Sequence, residues 1–234
     1  MGGKVEEGNN GTGKMDEFPE IIPVMPSSSD PNAKNAQELY GLEYLKRPMS
    51  PPTVNRWEDN GIFYGTAVTA KLLADRLGIR KILDVGCGRG WVVRHLRNLK
   101  LEADGMEYSQ DAVKYSMCEA KQGDLTERIP FEDRSCDLIL CLGVLSHLPA
   151  DRLIHAVREL ARVSRRYIWT NIQVQWYHLQ QHHKNFLPHE IWTLIFKEAG
   201  CREMEELRPF LKEHKMGAPP LTHAAIWEKK PISP

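Results

Sequence analysis

Three closely spaced glycines directly follow a short apolar run, and they form the part of the sequence best suited to hold a ligand. The run spans residues 81–85, and the glycines are Gly86, Gly88 and Gly90. Glycine permits positive φ angles and lets a ligand approach the main chain closely. An amphipathic run begins at Trp91, so the pattern predicts a buried strand, a glycine turn and a helix that together border a cofactor pocket.

The spacing of these glycines separates two classes of cofactor. The dinucleotide fingerprint is G-x-G-x-x-G. Counted from Gly86, that pattern needs glycine or alanine at the position of Trp91. The sequence instead reads G-x-G-x-G, with Asp84 two residues before the first glycine. A nicotinamide-dependent oxidoreductase is therefore a weak alternative.

Two carboxylates follow the glycines at distances that suit a nucleoside ligand. Glu107 ends a predicted second strand, where a Rossmann-like fold places an acid that accepts hydrogen bonds from ribose hydroxyls. Tyr108 follows it and can pack on an adenine ring. Asp124 ends a predicted third strand, where a carboxylate can accept a hydrogen bond from an adenine amino group. The alternative for Asp124 is a turn residue that bonds its own backbone.

Six motifs occur in order along one continuous stretch of the chain. They are Asp84-x-Gly86-x-Gly88-x-Gly90, Glu107, Gly123-Asp124-Leu125, Pro130-Phe131, Asp137-Leu138-Ile139-Leu140 and Gly143-Val144-Leu145-Ser146-His147-Leu148-Pro149. As a set they resemble the cofactor-binding half of class I S-adenosylmethionine-dependent methyltransferases of the small-molecule type. The resemblance is close over residues 81–150 and extends in outline over 151–229.

The resemblance implies S-adenosylmethionine as cofactor and assigns a role to several residues. The loop over 86–90 would meet the methionine end, and Asp84 would orient this loop or reach the amino group through water. Glu107 would bind the ribose and Asp124 the adenine, with the Leu142 backbone beside the sulfonium. The implied cofactor-binding residues are Asp84, Gly86, Gly88, Gly90, Glu107, Tyr108, Asp124, Leu125 and Leu142.

The order of predicted elements indicates an α/β fold. We expect a Rossmann-like, seven-stranded, mostly parallel sheet with helices on both faces, plus an N-terminal helical extension. Residues 1–35 are predicted to be a disordered tail, 36–78 a helical cap and 79–230 the methyltransferase domain. Helices are predicted over 60–77 and 111–120, and strands over 101–107, 121–125, 136–142, 167–172, 201–207 and 221–227. The connection over 208–220 is long for a hairpin loop.

His147 is one of two predicted catalytic residues. It follows the fourth strand at the mouth of the expected pocket and can take a proton from an acceptor hydroxyl. The alternative is a structural role in capping and packing.

A histidine-rich segment over 176–190 has three interpretations. It can be a metal site using His178, His182 and His189, a substrate-facing loop with a general base, or a polar surface turn. The run that begins at His183 resembles one in sugar-modifying members of the same family. We therefore predict His183 as the second catalytic residue, and we predict no resident metal.

Composition limits the acceptor and the partners. Lysine plus arginine equals aspartate plus glutamate at 31 each, which argues against nucleic acid and anionic membranes as partners. No apolar run approaches the ~20 residues of a membrane span, and the five cysteines contain no C-x-x-C, as in a reduced cytoplasmic protein.

The residues after the predicted fourth strand narrow the acceptor further. They read Leu142-Gly143-Val144-Leu145, so both the Asp/Asn-Pro-Pro-aromatic motif of nucleobase-amine methyltransferases and the acid of metal-dependent catechol enzymes are absent. We expect methyl transfer to an oxygen or nitrogen of a small molecule, such as a sugar or a natural-product intermediate, by a monomer or homodimer. The alternative function is a catalytically silent S-adenosylmethionine-binding module that acts through a partner.

Overall fold

The computed structural model describes residues 61–173, 185–214, 216 and 222–230. The predicted tail over 1–35, residues 36–60 of the predicted cap and residues 174–184, which include most of the histidine-rich segment, lie outside these residues. His178, His182 and His183 therefore cannot be placed.

Seven strands form one sheet in the order β3-β2-β1-β4-β5-β7-β6. Strands β1 to β5 run parallel, and β7 is antiparallel to both of its neighbours, β5 and β6. The strands are β1 (Lys81–Val85), β2 (Glu102–Glu107), β3 (Lys121–Gln122), β4 (Cys136–Leu142), β5 (Ser164–Gln173), β6 (Cys201–Glu203) and β7 (Thr222–Lys229). The prediction of a Rossmann-like, seven-stranded, mostly parallel sheet is confirmed.

Helices cover both faces of the sheet because its central strands are apolar on both sides. Ile139 of β4 packs into a core with α4 and α5, whereas its neighbour Leu138 packs into a second core with α1, α2 and α6. This alternation follows from the two-residue period of a strand. The helices are α1 (Gly61–Leu77), α2 (Trp91–Asn98), α3 (Gln110–Lys114), α4 (Leu153–Val163), α5 (His189–Glu198) and α6 (Arg208–Glu213).

Helix α1 agrees with the prediction over 60–77 and ends where expected. Gly78 has a φ of 67°, which suits the left-handed residue that commonly terminates a helix. Tyr64 contacts the ring of His95 on α2 edge-on, with 5.4 Å between the ring centroids. The aromatic residues of α1 therefore lie on the α2 side of the domain. In the described part of the chain, no helix is both long enough and apolar enough to span a membrane.

Helix α3 is shorter than the sequence predicted. It was expected over 111–120 but ends at Lys114. The Ser116 hydroxyl accepts hydrogen bonds from the backbone N–H groups of Cys118 and Ala120, and Met117 N–H donates to the Arg89 carbonyl. Such side-chain bonds compete with the helical ladder and stop it.

Two predicted strands were also too long, and one connection is more ordered than expected. Strand β3 ends at Gln122 rather than 125, and β6 ends at Glu203, where a 3₁₀ turn over Glu205–Leu207 replaces the expected strand. Helix α6 then fills part of the connection over 208–220. The last two strands, β6 and β7, are adjacent in the sheet and pair antiparallel.

Candidate cofactor site

The glycine loop joins β1 to α2 at the carboxyl end of the sheet. Gly86, Gly88 and Gly90 have φ angles of 80°, 55° and 80°. All three lie in the left-handed region, which glycine enters at little cost. The Met106 carbonyl accepts hydrogen bonds from the N–H groups of Gly86 and Cys87, at 2.8 and 3.0 Å. The loop is therefore fixed to the end of β2.

The three glycines differ in what surrounds them. A Cβ at Gly86 would lie 2.3 Å from Cγ2 of Val144, and one at Gly90 would lie 2.2 Å from Sγ of Cys118. A Cβ at Gly88 would meet no atom within 4 Å. Gly86 and Gly90 thus permit close packing of the protein itself, whereas Gly88 faces open space that a ligand can use.

Glu107 connects the end of β2 to the glycine loop. Its Oε2 accepts a hydrogen bond from Gly88 N–H at 2.8 Å, and its Oε1 accepts one from Ser109 N–H at 2.9 Å. Burial raises the pKa of Glu107, although these backbone N–H groups act in the opposite direction. A carboxylate has about four lone-pair sites, so Glu107 keeps acceptor capacity for a ribose hydroxyl.

Asp84 lies beneath the loop and is only 6% exposed. Burial raises its pKa to about 8, and the neighbouring Cys118 and Glu107 contribute to the rise. The protonated form of Asp84 therefore predominates at neutral pH. A cationic ammonium group nearby would favour the carboxylate and lower this pKa. The site thus suits a ligand with a positive charge, such as the amino group of an amino acid.

Asp124 lies in a turn that is tied to the same region. Gly123 N–H donates to the Glu107 carbonyl at 3.0 Å. Oδ1 of Asp124 accepts hydrogen bonds from the N–H and the hydroxyl of Thr126, at 2.8 and 2.7 Å, which is the turn geometry given above as the alternative. The second oxygen takes no part in these bonds. Leu125 is buried in the core, so only its main chain can face a ligand. Tyr108 is half-buried beside Glu107.

The end of β4 lies beside the glycine loop, where a Cβ at Gly86 would meet Val144. Gly143, which follows Leu142, has a φ of 70° and open space around its Cα, and its N–H donates to the Asn171 carbonyl at 2.9 Å. His147 ends a 3₁₀ turn, and its N–H donates to the Val144 carbonyl at 2.9 Å. The predicted base therefore lies on the segment that directly follows β4.

Asn185 supports this segment, although no motif in the sequence indicated this role. Its Nδ2 donates to the carbonyls of Leu145 and Leu148, at 3.0 and 2.9 Å, and its backbone N–H donates to the Ser146 carbonyl at 3.3 Å. Asn185 is 1% exposed. Its only signal was its position within the histidine-rich segment.

The predicted cofactor residues thus converge on one region at the carboxyl edge of the sheet. The loop, Glu107 and the turn at Asp124 are connected by hydrogen bonds, and the open positions at Gly88 and Gly143 lie beside them. With a buried acid at Asp84, these features fit a cofactor that has an ammonium group, a ribose and an adenine.

Comparison with protein families decides the class of the domain. Residues 83–167, from β1 to the start of β5, match the family described as a methyltransferase domain. The chain carries a class I S-adenosylmethionine-dependent methyltransferase domain. Members of this class use S-adenosylmethionine as cofactor, which is the cofactor that the motifs predicted.

Curated relatives that are similar over part of their length are also named as methyltransferases. A protein of Mycobacterium tuberculosis named as a "probable S-adenosylmethionine-dependent methyltransferase" is 30% identical over 112 residues, which are 46% of this chain and 40% of the relative. The chain spans about two-fifths of the length of the curated relatives it matches.

Solved structures agree in fold. The Synechocystis PCC 6803 magnesium protoporphyrin IX methyltransferase with bound S-adenosylhomocysteine aligns with a TM-score of 0.53 and 15% identity, covering 77% of this chain and 90% of that one. A chain of the Haloferax volcanii complex that contains the Trm112 methyltransferase activator aligns with a TM-score of 0.53 and 17% identity, covering 74% of this chain and 96% of that one. At these identities the likeness concerns the fold alone.

Proposed function

We propose that the protein transfers a methyl group from S-adenosylmethionine to an oxygen or nitrogen of a small molecule, with sugars and natural-product intermediates as candidate acceptors. One observation carries the proposal. The glycine loop, Glu107 and the turn at Asp124 are joined by hydrogen bonds beside the open positions at Gly88 and Gly143. This arrangement lies in a methyltransferase domain.

In this proposal each part of the site binds one part of the cofactor. The loop over 86–90 receives the methionine end, and Asp84 stabilises its ammonium group by becoming ionised. Glu107 accepts hydrogen bonds from the ribose hydroxyls while it holds Gly88. Asp124 accepts one from the adenine amino group through its second oxygen, and Tyr108 packs on the ring.

Methyl transfer requires little from the protein beyond the alignment of the methyl donor with the acceptor. The cofactor supplies a methyl group already activated on a sulfonium. The acceptor atom bonds to the methyl carbon as the carbon–sulfur bond breaks, and the acceptor loses its proton to a base. We assign this proton to His147, whose segment is held by Asn185, with His183 as a second candidate. Alignment and partial removal of water supply much of the rate.

Two observations support a small acceptor and a reducing compartment. The equal numbers of basic and acidic residues provide no net field for a polyanionic substrate. The five cysteines all carry free thiols, which is typical of cytoplasmic proteins. We therefore propose a cytoplasmic location.

The second candidate function is a silent binding module that works through a partner protein. It is favoured by the Haloferax volcanii chain, which shares the fold and belongs to a complex with a methyltransferase activator. In that case the cofactor would bind without turnover by the protein alone. The two functions therefore differ in a measurable quantity.

The decisive assay follows the methyl label. The full-length protein is incubated with S-adenosylmethionine labelled in its methyl group and with cell extract separated into small-molecule, nucleic-acid and protein fractions. We expect label in the small-molecule fraction, loss of that label in Glu107→Ala, and full transfer by the surface control Glu132→Ala. Label in either macromolecular fraction would overturn the small-molecule acceptor. Cofactor binding without any transfer would favour the silent module.

A further inference from the structure

A second cluster of reactive side chains lies on the β6–β7 side of the sheet. It consists of His189, Glu203 and His223, which belong to the start of α5, the end of β6 and the beginning of β7. One possible ligand atom from each lies within 4.8 Å of the others. Strands β4 and β5 separate β7 from β1 and its glycine loop, so the cluster is distinct from the proposed cofactor site.

The three side chains are close together and mostly shielded from water. Nε2 of His189 lies 2.8 Å from Oε2 of Glu203, and Nε2 of His223 lies 3.5 Å from Oε1 of Glu203. The imidazole rings are tilted by 35°, with 3.7 Å between their centroids. The Glu203 side chain is 5% exposed, and those of the two histidines are 23% and 27% exposed.

Two nitrogens of this cluster lack hydrogen-bond partners among the described residues. They are Nε2 of His223 and Nδ1 of His189, and both are buried. Buried polar atoms in folded proteins are nearly always paired, with protein, water or an ion. The lone Nε2 of His223 faces the Glu203 carboxylate at a distance too long for good pairing. This geometry leaves a place for a bridging cation.

We propose that His189, Glu203 and His223 bind one divalent first-row transition ion, of which Zn²⁺ is the best fit. Zinc binds histidine nitrogen and carboxylate oxygen at about 2.0–2.2 Å in a tetrahedron, which places the ligand atoms roughly 3.4 Å apart. The two histidine–glutamate separations, 2.8 and 3.5 Å, bracket this value, and all three ligand atoms lie within 4.8 Å of one another, so side-chain movements alone would complete the site. Three protein ligands leave the fourth position to water. The ion would join α5, β6 and β7.

Arg208 is the natural competitor for this position. Its Nε and one terminal nitrogen lie 2.7 and 2.8 Å from the two Glu203 oxygens, and the terminal nitrogen also lies 3.2 Å from Nε2 of His189. The guanidinium therefore occupies the place of a cation. Its side chain is 42% exposed and lies 3.5 Å from Glu205, to which it can turn at the surface. A cation-for-cation exchange leaves the Glu203 carboxylate neutralised.

The test is a metal titration of the full-length protein. Protein treated with a chelator is titrated with ZnCl₂ by calorimetry and with CoCl₂ by visible spectroscopy, without cofactor. We expect one ion per chain and the intense bands of tetrahedral Co²⁺ with nitrogen and oxygen ligands. The absence of a stoichiometric ion would overturn the proposal. Because no cofactor is present, this outcome is independent of the proposed methyl transfer.

Variants identify the ligands. His223→Ala and Glu203→Gln are expected to weaken Zn²⁺ binding at least tenfold, whereas His155→Ala, at an exposed histidine of α4, should leave it unchanged. Arg208→Ala should strengthen binding at least tenfold, because it removes the competitor. If the cluster were only an ion-pair network, this variant would lower stability and leave zinc binding unchanged.

Three histidines of the histidine-rich segment provide the second control. A variant with His178, His182 and His183 all changed to alanine removes the two other ligands suggested by sequence spacing, together with the neighbouring histidine. Retention of the zinc stoichiometry and the cobalt spectrum in this variant supports the proposed site. Loss of binding in this variant, together with normal binding by His223→Ala, would overturn it. The cobalt spectrum of the unaltered protein remains informative if any variant fails to fold.

Discussion

Replacing Asp84 by asparagine is expected to remove a loss of stability that the unaltered protein undergoes as the pH rises. The folded-state pKa of Asp84 is about 8, against an ordinary value of 3.8, because the carboxyl is buried. A carboxyl with a raised pKa contributes stability that is fully present below its unfolded value and is lost as the pH rises through its folded value. Asparagine cannot ionise, so Asp84→Asn lacks this dependence.

The magnitude follows from the shift in pKa. Between the two pKa values the contribution of Asp84 to the free energy of unfolding falls by about 1.4 kcal/mol per pH unit. From about pH 6 to about pH 8 the fall is roughly 2 kcal/mol, since it flattens near the folded pKa. For a chain of this size such a change lowers the melting temperature by roughly 4–8 °C.

The assay is urea unfolding without cofactor at both pH values. The stability of the unaltered protein relative to Asp84→Asn should fall by roughly 2 kcal/mol between about pH 6 and pH 8. Asp137→Asn is the matched control on the neighbouring strand. Burial alone would raise the pKa of Asp137, but hydrogen bonds from backbone N–H groups and Arg165 lower it, so this acid is ionised throughout the range. A constant difference for Asp84→Asn would refute the assignment of a raised pKa.

Three further predictions concern packing and the tail. Gly90→Ala should cost about 2–4 kcal/mol of unfolding free energy, because its Cβ meets Sγ of Cys118 at positive φ, whereas Gly88→Ala should cost about 1 kcal/mol; equal losses in urea unfolding would contradict this. Asn185→Ala should cost about 2–3 kcal/mol, because it removes two hydrogen bonds from a buried side chain to the carbonyls of Leu145 and Leu148; a loss below about 0.5 kcal/mol, as at a surface position, would count against that role. Deletion of residues 1–35 should leave the melting temperature unchanged in calorimetry; a clear drop would show that the tail packs on the domain.

The succession of strands and helices along the chain could be predicted because its signals are local. Strands β1 and β4 are continuous apolar runs beside glycine turns, and the spacing of Glu107 after Gly86 follows from one strand–helix–strand unit. The end of α3 could not be predicted, because it depends on the hydroxyl of Ser116, which bonds the backbone instead of water. The apolar period of a helix gives no information on this competition.

The cluster of His189, Glu203 and His223 could not be predicted from the spacing of these residues along the chain. Spacing favoured His178 and His182 as companions of His189, since residues four apart share a helix face. The fold instead places β7 between β5 and β6, which brings together residues far apart in the chain. The raised pKa of Asp84 could not be predicted from the sequence either. It results from burial, and several elements together bury the end of β1.

The most direct test of the central claim is calorimetric titration with S-adenosylmethionine and then S-adenosylhomocysteine. We expect micromolar binding of both ligands with one site per chain, at least tenfold weaker in Asp124→Ala and unchanged in Asp151→Ala, an exposed acid outside the site. Absence of binding to either ligand, or equal binding by the two variants, would contradict the placement of the cofactor beside Gly88 and Asp124.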